Sequence, residues 1–423
     1  MKRILAFVLA SLMLFALVST AAAEEPVTLR VLWWGSQTRH DLTMAAIEKF
    51  MEKNPDIKIE AEYTSWDGYW EKVATQIAGG VLPDVIQMDH AYLAQYSKAG
   101  VLEVLNPYFE SGAIDISDVA QGVIDAGKCG GDEVYALSTG TNALVTMYRK
   151  DVLDQAGVEM PMEPTIEELA ELSRKVYEAT GHHNSNFNGF DGVRYYLRSY
   201  GLNFYADDGT SLGFDDPKYI ADIWQGYVDG TKEGWIKDVG ELSATTAFDN
   251  LIDDYWAGWH WTNELAAYEN GNGFPLEMSL VPVPSDATVP PTFFKASMYW
   301  SINSKSEVKD AAARFINFFT NDTDCFDIVG IDRAIPISAK IREHITPNLN
   351  ETSQRVAAMI DYLGQEGKTS PIMPPDIAVH SQINALLGEY FEQVQYGMVD
   401  DLTAHAQAFI NEANDIIAKS LAN

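Results

Sequence analysis

The sequence predicts an α/β fold, and three observations carry the prediction. Apolar runs and amphipathic stretches alternate in a β-α-β-α-β order between residues 29 and 88. The same style of alternation resumes after residue 133 and continues past residue 300. The chain has 423 residues, more than one core comfortably fills, so two or more domains are expected.

The first element is the apolar run 29–34, which opens into Gly35-Ser36 and reads as a buried strand ending in a loop. A helix follows, with Asp41 near its start and Ala46, Ile47, Phe50 and Met51 at helical spacing, and Asn54-Pro55-Asp56 ends it. Ile57, Ile59, Ala61 and Tyr63 then alternate with polar residues, the period of a half-buried strand. Residues 66–78 read as a second helix stopped by Gly79-Gly80, and Val85-Ile86-Gln87-Met88 as a third strand ending at Asp89-His90. Strands are expected at 133–139 and 143–148. A helix at 165–180 has Thr165 as N-cap and Glu168 three residues on, a capping-box pattern. Residues 182–213, rich in Asn, Gly and aromatics, are expected to line a surface or cleft. A crossing strand at 279–283 leads into a loop at Pro282 and Pro284, a strand spans 297–303 and a helix 308–319, and the C-terminal third is mostly helical. No repeat or low-complexity linker is visible, so the domains are expected to be joined by strands.

Hydrophobic residues make up 47% and charged ones 21%, a globular composition. With 61 acidic against 29 basic residues the formal charge is −32, a field that repels phosphate backbones and anionic membranes and excludes nucleic acid as partner. Met1-Lys2-Arg3, the apolar run 4–18 and the small residues up to Ala21-Ala22-Ala23 form a signal-peptide pattern, with cleavage expected after Ala23. No cysteine lies near that site, so a protein free in the periplasm, or secreted, is expected. Cys129 and Cys325 either pair in that oxidising compartment or stay as buried thiols.

Catalytic signatures are missing: no His-Glu-x-x-His, no Gly-x-Ser-x-Gly, no phosphate loop and no Gly-x-Gly-x-x-Gly. His182-His183 are adjacent, which makes a poor metal pair. A glycosidase needs two carboxylates about 5–10 Å apart, and no local arrangement favours one. The aromatics are more informative. They concentrate at Trp33-Trp34, at Tyr63 to Trp70, at Tyr195 to Tyr205 and at Tyr255 to Trp261, many beside hydrogen-bonding side chains such as Arg39, Asp89 and Asn263. Trp and Tyr cover the apolar face of a pyranose while Asp, Asn, Arg and His bond its hydroxyls. Each aromatic taken singly reads equally well as a core residue, but clusters at strand ends favour a ligand.

Four blocks, in order, carry a resemblance. They are Leu29-Arg-Val-Leu-Trp-Trp-Gly-Ser with Asn54-Pro55; Gly79-Gly80-Val-Leu-Pro83-Asp84-Val-Ile-Gln-Met88; Tyr135-Ala-Leu with Met147-Tyr148 through Gly157; and Trp300-Ser-Ile-Asn-Ser-Lys305 with Ala334-Ile335-Pro336-Ile337-Ser338. They resemble the extracellular solute-binding proteins of carbohydrate ABC transporters, the maltodextrin- and glycerol-phosphate-binding type, and in finer detail members that serve plant-polysaccharide oligosaccharides. The resemblance implies a two-lobed periplasmic-binding-protein fold (type II) with three hinge crossovers. Lobe one would be residues 24–126 plus 281–330, and lobe two 127–280 plus 331–423. It implies no cofactor, no metal and no catalysis, an oligosaccharide ligand, permease subunits in the membrane as partners, and a monomer.

Carried onto this chain, the implied binding residues are Trp34, Ser36, Gln37, Arg39 and His40 in the first loop, then Trp66 and Asp67, then Asp89, His90 and Tyr92. Asn142, Arg194, Trp259, Trp261, Asn263 and Trp300 complete the set. Met373-Pro374-Pro375 matches a stretch whose downstream aromatic stacks on sugar in some relatives; here that position is aliphatic, near Ile383. Arg39, Arg194 and Arg198 could each clamp the carboxylate of a uronic sugar or pair with a neighbouring acid. A receptor for polyamine or peptide in the same fold, or a secreted glycoside hydrolase or lyase, are the competing readings.

Overall fold

The computed structural model describes residues 26–129, 131–185, 189–239, 255–372 and 376–421, without the side chain of Asp67. The leader expected at 1–23 and Met373-Pro374-Pro375 lie outside the described residues. The strands, in chain order, are β1 (Val27–Trp34), β2 (Ile57–Thr64), β3 (Val85–Met88), β4 (Leu137–Ser138), β5 (Thr141–Asn142), β6 (Leu144–Tyr148), β7 (His183–Asn184), β8 (Tyr255–Trp261), β9 (Glu277–Ser279), β10 (Lys295–Ala296) and β11 (Tyr299–Ile302).

The first sheet has the order β2-β1-β3-β11-β4, with β1 parallel to β2 and β3, and β11 antiparallel to β3 and β4. Hydrophobic patterning explains the order. The central strands β3 and β11 read Val-Ile-Gln-Met and Tyr-Trp-Ser-Ile and are buried throughout, whereas the edge strand β2 buries Ile57 and Ile59 and exposes Lys58 and Glu60. Helix Gln37–Lys53 starts on Ser36, whose Oγ accepts from Arg39 N, and helix Trp66–Gly79 stops at Gly80 with φ 67°, a left-handed cap that glycine adopts without strain. Both follow parallel strands, so the loops after β1, β2 and β3 emerge along one edge.

The second sheet has the order β7-β8-β6-β9 and is mixed, with β6 antiparallel to β8 and β9, and β7 parallel to β8. Helix Ile166–Thr180 beside it carries the expected capping box: Glu168 N donates to Thr165 Oγ1 at 3.0 Å and Thr165 N to Glu168 Oε2 at 2.9 Å. Helices Phe190–Arg198, Lys218–Lys232, His380–Gln395 and Leu402–Leu421 share an apolar core built on Val193, Trp224, Leu387 and Phe409.

Three of the expected strands are shorter than the sequence suggests. Only Leu137–Ser138 of 133–139 joins a sheet, because Val134 N and Tyr135 N donate instead to Asn106 and Gly127. β9 ends at Ser279, since Leu280 N and Val283 N bond the 162–164 loop ahead of Pro284. β11 begins at Tyr299 because Ser297 is spent on Gly140. β4 lies in the first sheet although it follows the lobe break expected at residue 126.

The chain crosses from one sheet to the other twice, through β5 between β4 and β6 and through β10 between β9 and β11, and a third crossover segment at 333–336 lies beside them. β5 pairs antiparallel with β10, and Thr141 N donates to Ile335 O at 2.9 Å on the other side. Ser297 Oγ ties all three, at 2.6 Å from Arg333 O and 3.1 Å from Gly140 O. A Cβ on Gly140 would stand 2.1 Å from Arg333 O, so the approach requires glycine. Next to it Ala334 holds φ 77°, the positive-φ conformation that costs a non-glycine residue roughly 1–3 kcal/mol.

Candidate binding site

A cavity of about 1000 Å³ opens against these crossovers. From the first sheet's loops come Arg39, Asp89, His90 and Ala91; from the end of β8 come Trp261, Thr262, Asn263 and Glu264. The crossovers supply Asn142, Lys295, Ser297 and Arg333, and Asp332 and Asp376 complete its charged lining. Its position at the carboxyl ends of parallel strands is where open α/β sheets bind ligands.

Each side chain has a local cause. Asp89 caps helix His90–Lys98 by accepting from Ala91 N at 2.9 Å, which leaves its second oxygen for the cavity. His90 sits 3.3 Å from the hydroxyl of Tyr299, which donates to Ala126 O; burial holds the imidazole below its usual pKa, with Asp89 opposing and Lys295 reinforcing the fall. Glu264 accepts from Trp261 N at 2.8 Å and fixes the turn at the end of β8. Arg39 Nε donates to Asp332 Oδ2 at 2.7 Å and its Nη2 to Asp332 O at 3.0 Å. Arg333 is only 5% exposed and donates to Thr43 Oγ1 at 2.8 Å, while its Nη1 lies 3.7 Å from Asp332. Burial pulls its pKa down to about 10, Arg39 adding to the fall and Asp332 opposing it.

Beside the cavity stands an aromatic ledge. Tyr92 stacks on Trp70 with centroids 3.8 Å apart and planes within 17°, and Trp66 packs edge-on against Trp34 at 5.1 Å. Trp66 is 44% exposed, so its ring presents an open face at the start of helix Trp66–Gly79. Trp34 is buried beneath it against Tyr69 at 4.9 Å.

Of the residues expected from the sequence, Arg39, Asp89, His90, Asn142, Trp261 and Asn263 come together in the cavity, and Trp34, Trp66 and Tyr92 in the ledge. The others go elsewhere. Trp300 is 0% exposed, packed edge-on against Phe315 and Phe319 at 5.5 and 5.7 Å, and faces no ligand because β11 is a central strand. His40 is buried, accepting from Trp33 Nε1 at 3.1 Å and stacked on Tyr63. Ser36 spends its hydroxyl on the helix cap, and exposed Gln37 donates to Asp41. Arg194 pairs with Asp376 and stacks on Phe190. Trp259 faces a separate cavity of about 490 Å³ and packs near Tyr195. The side chain of Asp67 is outside the described residues. The sequence reading does not single out Lys295, Asp332 or Arg333; Arg333 adjoins the Ala334-Ile335-Pro336 block, whereas nothing local marks Lys295.

The two cysteines are unbonded, with Cys325 buried and Cys129 partly so, and burial raises both thiols. Among the described residues no group of His, Cys, Asp or Glu could hold a metal, and no helix is long and apolar enough to cross a membrane.

Residues 35–324 match the family model of bacterial extracellular solute-binding proteins, and the chain belongs to that family. A solved extracellular solute-binding protein family 1 member from Alicyclobacillus acidocaldarius is 26% identical with a TM-score of 0.83, over 94% of this chain and 100% of that one. The periplasmic oligogalacturonide binding protein of Yersinia enterocolitica shares the fold at TM-score 0.76 and 21% identity, over 93% of this chain and 100% of that one. Among curated relatives, a putative binding protein of Brucella abortus is 27% identical over 257 residues, 58% of this chain. The match spans 54% of that relative, so the chain covers about half the length of the curated relatives it matches.

Proposed function

We propose that this protein is the extracytoplasmic binding component of an ABC importer, capturing an oligosaccharide between two lobes and delivering it unaltered to a membrane permease. The observation that carries the reading is the cavity bounded by both sheets' loops and all three crossovers, at about 1000 Å³, with Trp261 and the hydrogen-bonding Asp89, Asn142 and Asn263 in its lining. Small-molecule sites run to about 300–1000 Å³, so this one has room for more than a single sugar ring. The exposed face of Trp66 offers a further platform at its side.

The mechanism is a population shift. A ligand touching Arg39 and Asp89 from one lobe and Trp261 and Asn263 from the other gains all its contacts only when the lobes close. It therefore binds the closed form better and shifts the hinge equilibrium towards it. The lobes in this reading are built on the two sheets, and the permease recognises the closed arrangement. The family's extracellular members and the oligogalacturonide-binding neighbour support the class of ligand.

Thermal unfolding against a panel of neutral and acidic oligosaccharides, with spermidine and a dipeptide as controls, tests the reading. A ligand at 100 times its Kd stabilises by about 2.7 kcal/mol. A shift with one glycan family, and the same glycan recovered intact, is the expected result. A shift with spermidine or dipeptide alone would replace the sugar by another solute, and recovery of shortened product would make the protein an enzyme.

A further inference from the structure

Resting on the oligosaccharide reading, we infer that the cavity selects an acidic glycan, one bearing uronic carboxylates, and that Lys295 sets the preference. The positive charges that the sequence offers for this role are otherwise engaged. Arg194 pairs with Asp376, and Arg198 is buried over Phe293 with its Nε and Nη2 donated to Pro291 O at 2.8 Å and Pro371 O at 2.7 Å.

Lys295 differs from them. Its Nζ lies 4.4 Å from the ring centroid of Trp261, in the cavity lining, and among the described residues no carboxylate comes within ion-pair distance of it. Across the β5–β10 pair it is in register with Asn142, which is 8% exposed and whose Oδ1 has no hydrogen-bond partner among the described residues. On the same wall a single carboxylate, Asp332, faces both Arg39 and Arg333, and Arg333 keeps Nε and Nη1 without acceptors. Three cations thus stand against one carboxylate on the crossover side. Of the cavity's other acids, Asp376 pairs with Arg194, while Asp89 and Glu264, each accepting one backbone N–H, belong to the first sheet's loop and to the end of β8 rather than to the crossovers.

The chemistry of this wall fits a hexuronate. A pyranose beside Trp261 carries its C6 carboxylate towards the Lys295 ammonium, and a ring hydroxyl donates to Asn142 Oδ1. On a chain of charge −32, an anion is otherwise repelled, so a locally positive wall is what admits one. An ammonium–carboxylate hydrogen bond is about twice as strong as a neutral one, which gives the acid form its advantage.

Calorimetric titration of the protein with trigalacturonate, with its methyl ester and with a neutral galacto-oligosaccharide tests the inference. The acid is expected to bind about tenfold tighter than its ester. Lys295→Met should bring that ratio close to one, the acid losing about tenfold more affinity than the ester; Lys295→Arg should keep it, and added salt should shrink it. Equal or tighter binding of the ester, or a Lys295→Met loss that affects acid and ester alike, overturns the role of Lys295. Binding of the neutral glycan alone overturns the acidic preference and leaves oligosaccharide capture standing; binding of no glycan removes both.

Discussion

Asp332 receives Arg39 twice, through its side chain at 2.7 Å from Nε and through its carbonyl at 3.0 Å from Nη2. The contact ties the first helix, at the mouth of the first sheet, to the third crossover, so the wall of the cavity and the hinge are one structure. Both side chains are mostly buried, at 18% and 16% exposure, and Arg333 stands beside them.

Breaking one partner of a buried pair leaves the other charge uncompensated. Asp332→Ala strands two guanidinium groups and is predicted to cost roughly 3 kcal/mol in urea unfolding. The double change Arg39→Met with Asp332→Leu should recover part of that loss. Equal destabilisation by the single and double variants would contradict the coupling.

The hinge gives a second prediction. Gly140→Ala forces a Cβ onto Arg333 O and is expected to destabilise by about 1–3 kcal/mol. Ala334→Gly releases its positive φ and should stabilise by roughly 1 kcal/mol after the added chain entropy is discounted. Thermal unfolding of the two variants moving in the same direction would refute this account of the crossover.

Tryptophans that look alike in sequence should separate in experiment. Trp300→Ala empties a filled core and is predicted to cost roughly 3–5 kcal/mol. Trp66→Ala, with its ring 44% exposed, should leave stability within about 1 kcal/mol and weaken glycan binding instead. Denaturation and titration of both variants would show the division; a Trp66 variant with full affinity removes the ledge from the site.

Acid should weaken the fold through His260. Burial lowers its pKa to about 4, and its ring packs on Tyr268 at 4.1 Å. Between about pH 6.5 and 4 the unfolded chain takes up a proton that the folded one refuses, so stability falls with pH over that window, by about 1.4 kcal/mol per unit for this one group. His260→Phe should flatten the slope of unfolding free energy from pH 6.5 to 4. An unchanged slope would assign the acid sensitivity elsewhere.

The β-α-β-α-β start was legible because its periods are strict and local. Trp33 and Trp34 illustrate both the reach and the limit of that reading. Adjacent strand residues point to opposite faces, so Trp33 goes to His40 and Tyr63 and Trp34 to Tyr69 and Trp66. Periodicity places them on different faces but does not say which face meets a ligand. Trp300 shows the same limit: its face is covered by Phe315 and Phe319 of helix Lys309–Asn321, and strand periodicity does not reveal that cover. Lys295, Asp332 and Arg333 were illegible for another: their neighbours Asn142, Trp261 and Arg39 are remote in sequence and meet them only through the crossovers.

Small-angle scattering of the protein with and without its best-binding oligosaccharide tests capture by closure most directly. The account predicts a smaller radius of gyration at saturating ligand, and loss of that change in a Trp261→Ala variant that no longer binds. Scattering curves that stay superimposable while titration reports full occupancy would contradict closure around this cavity.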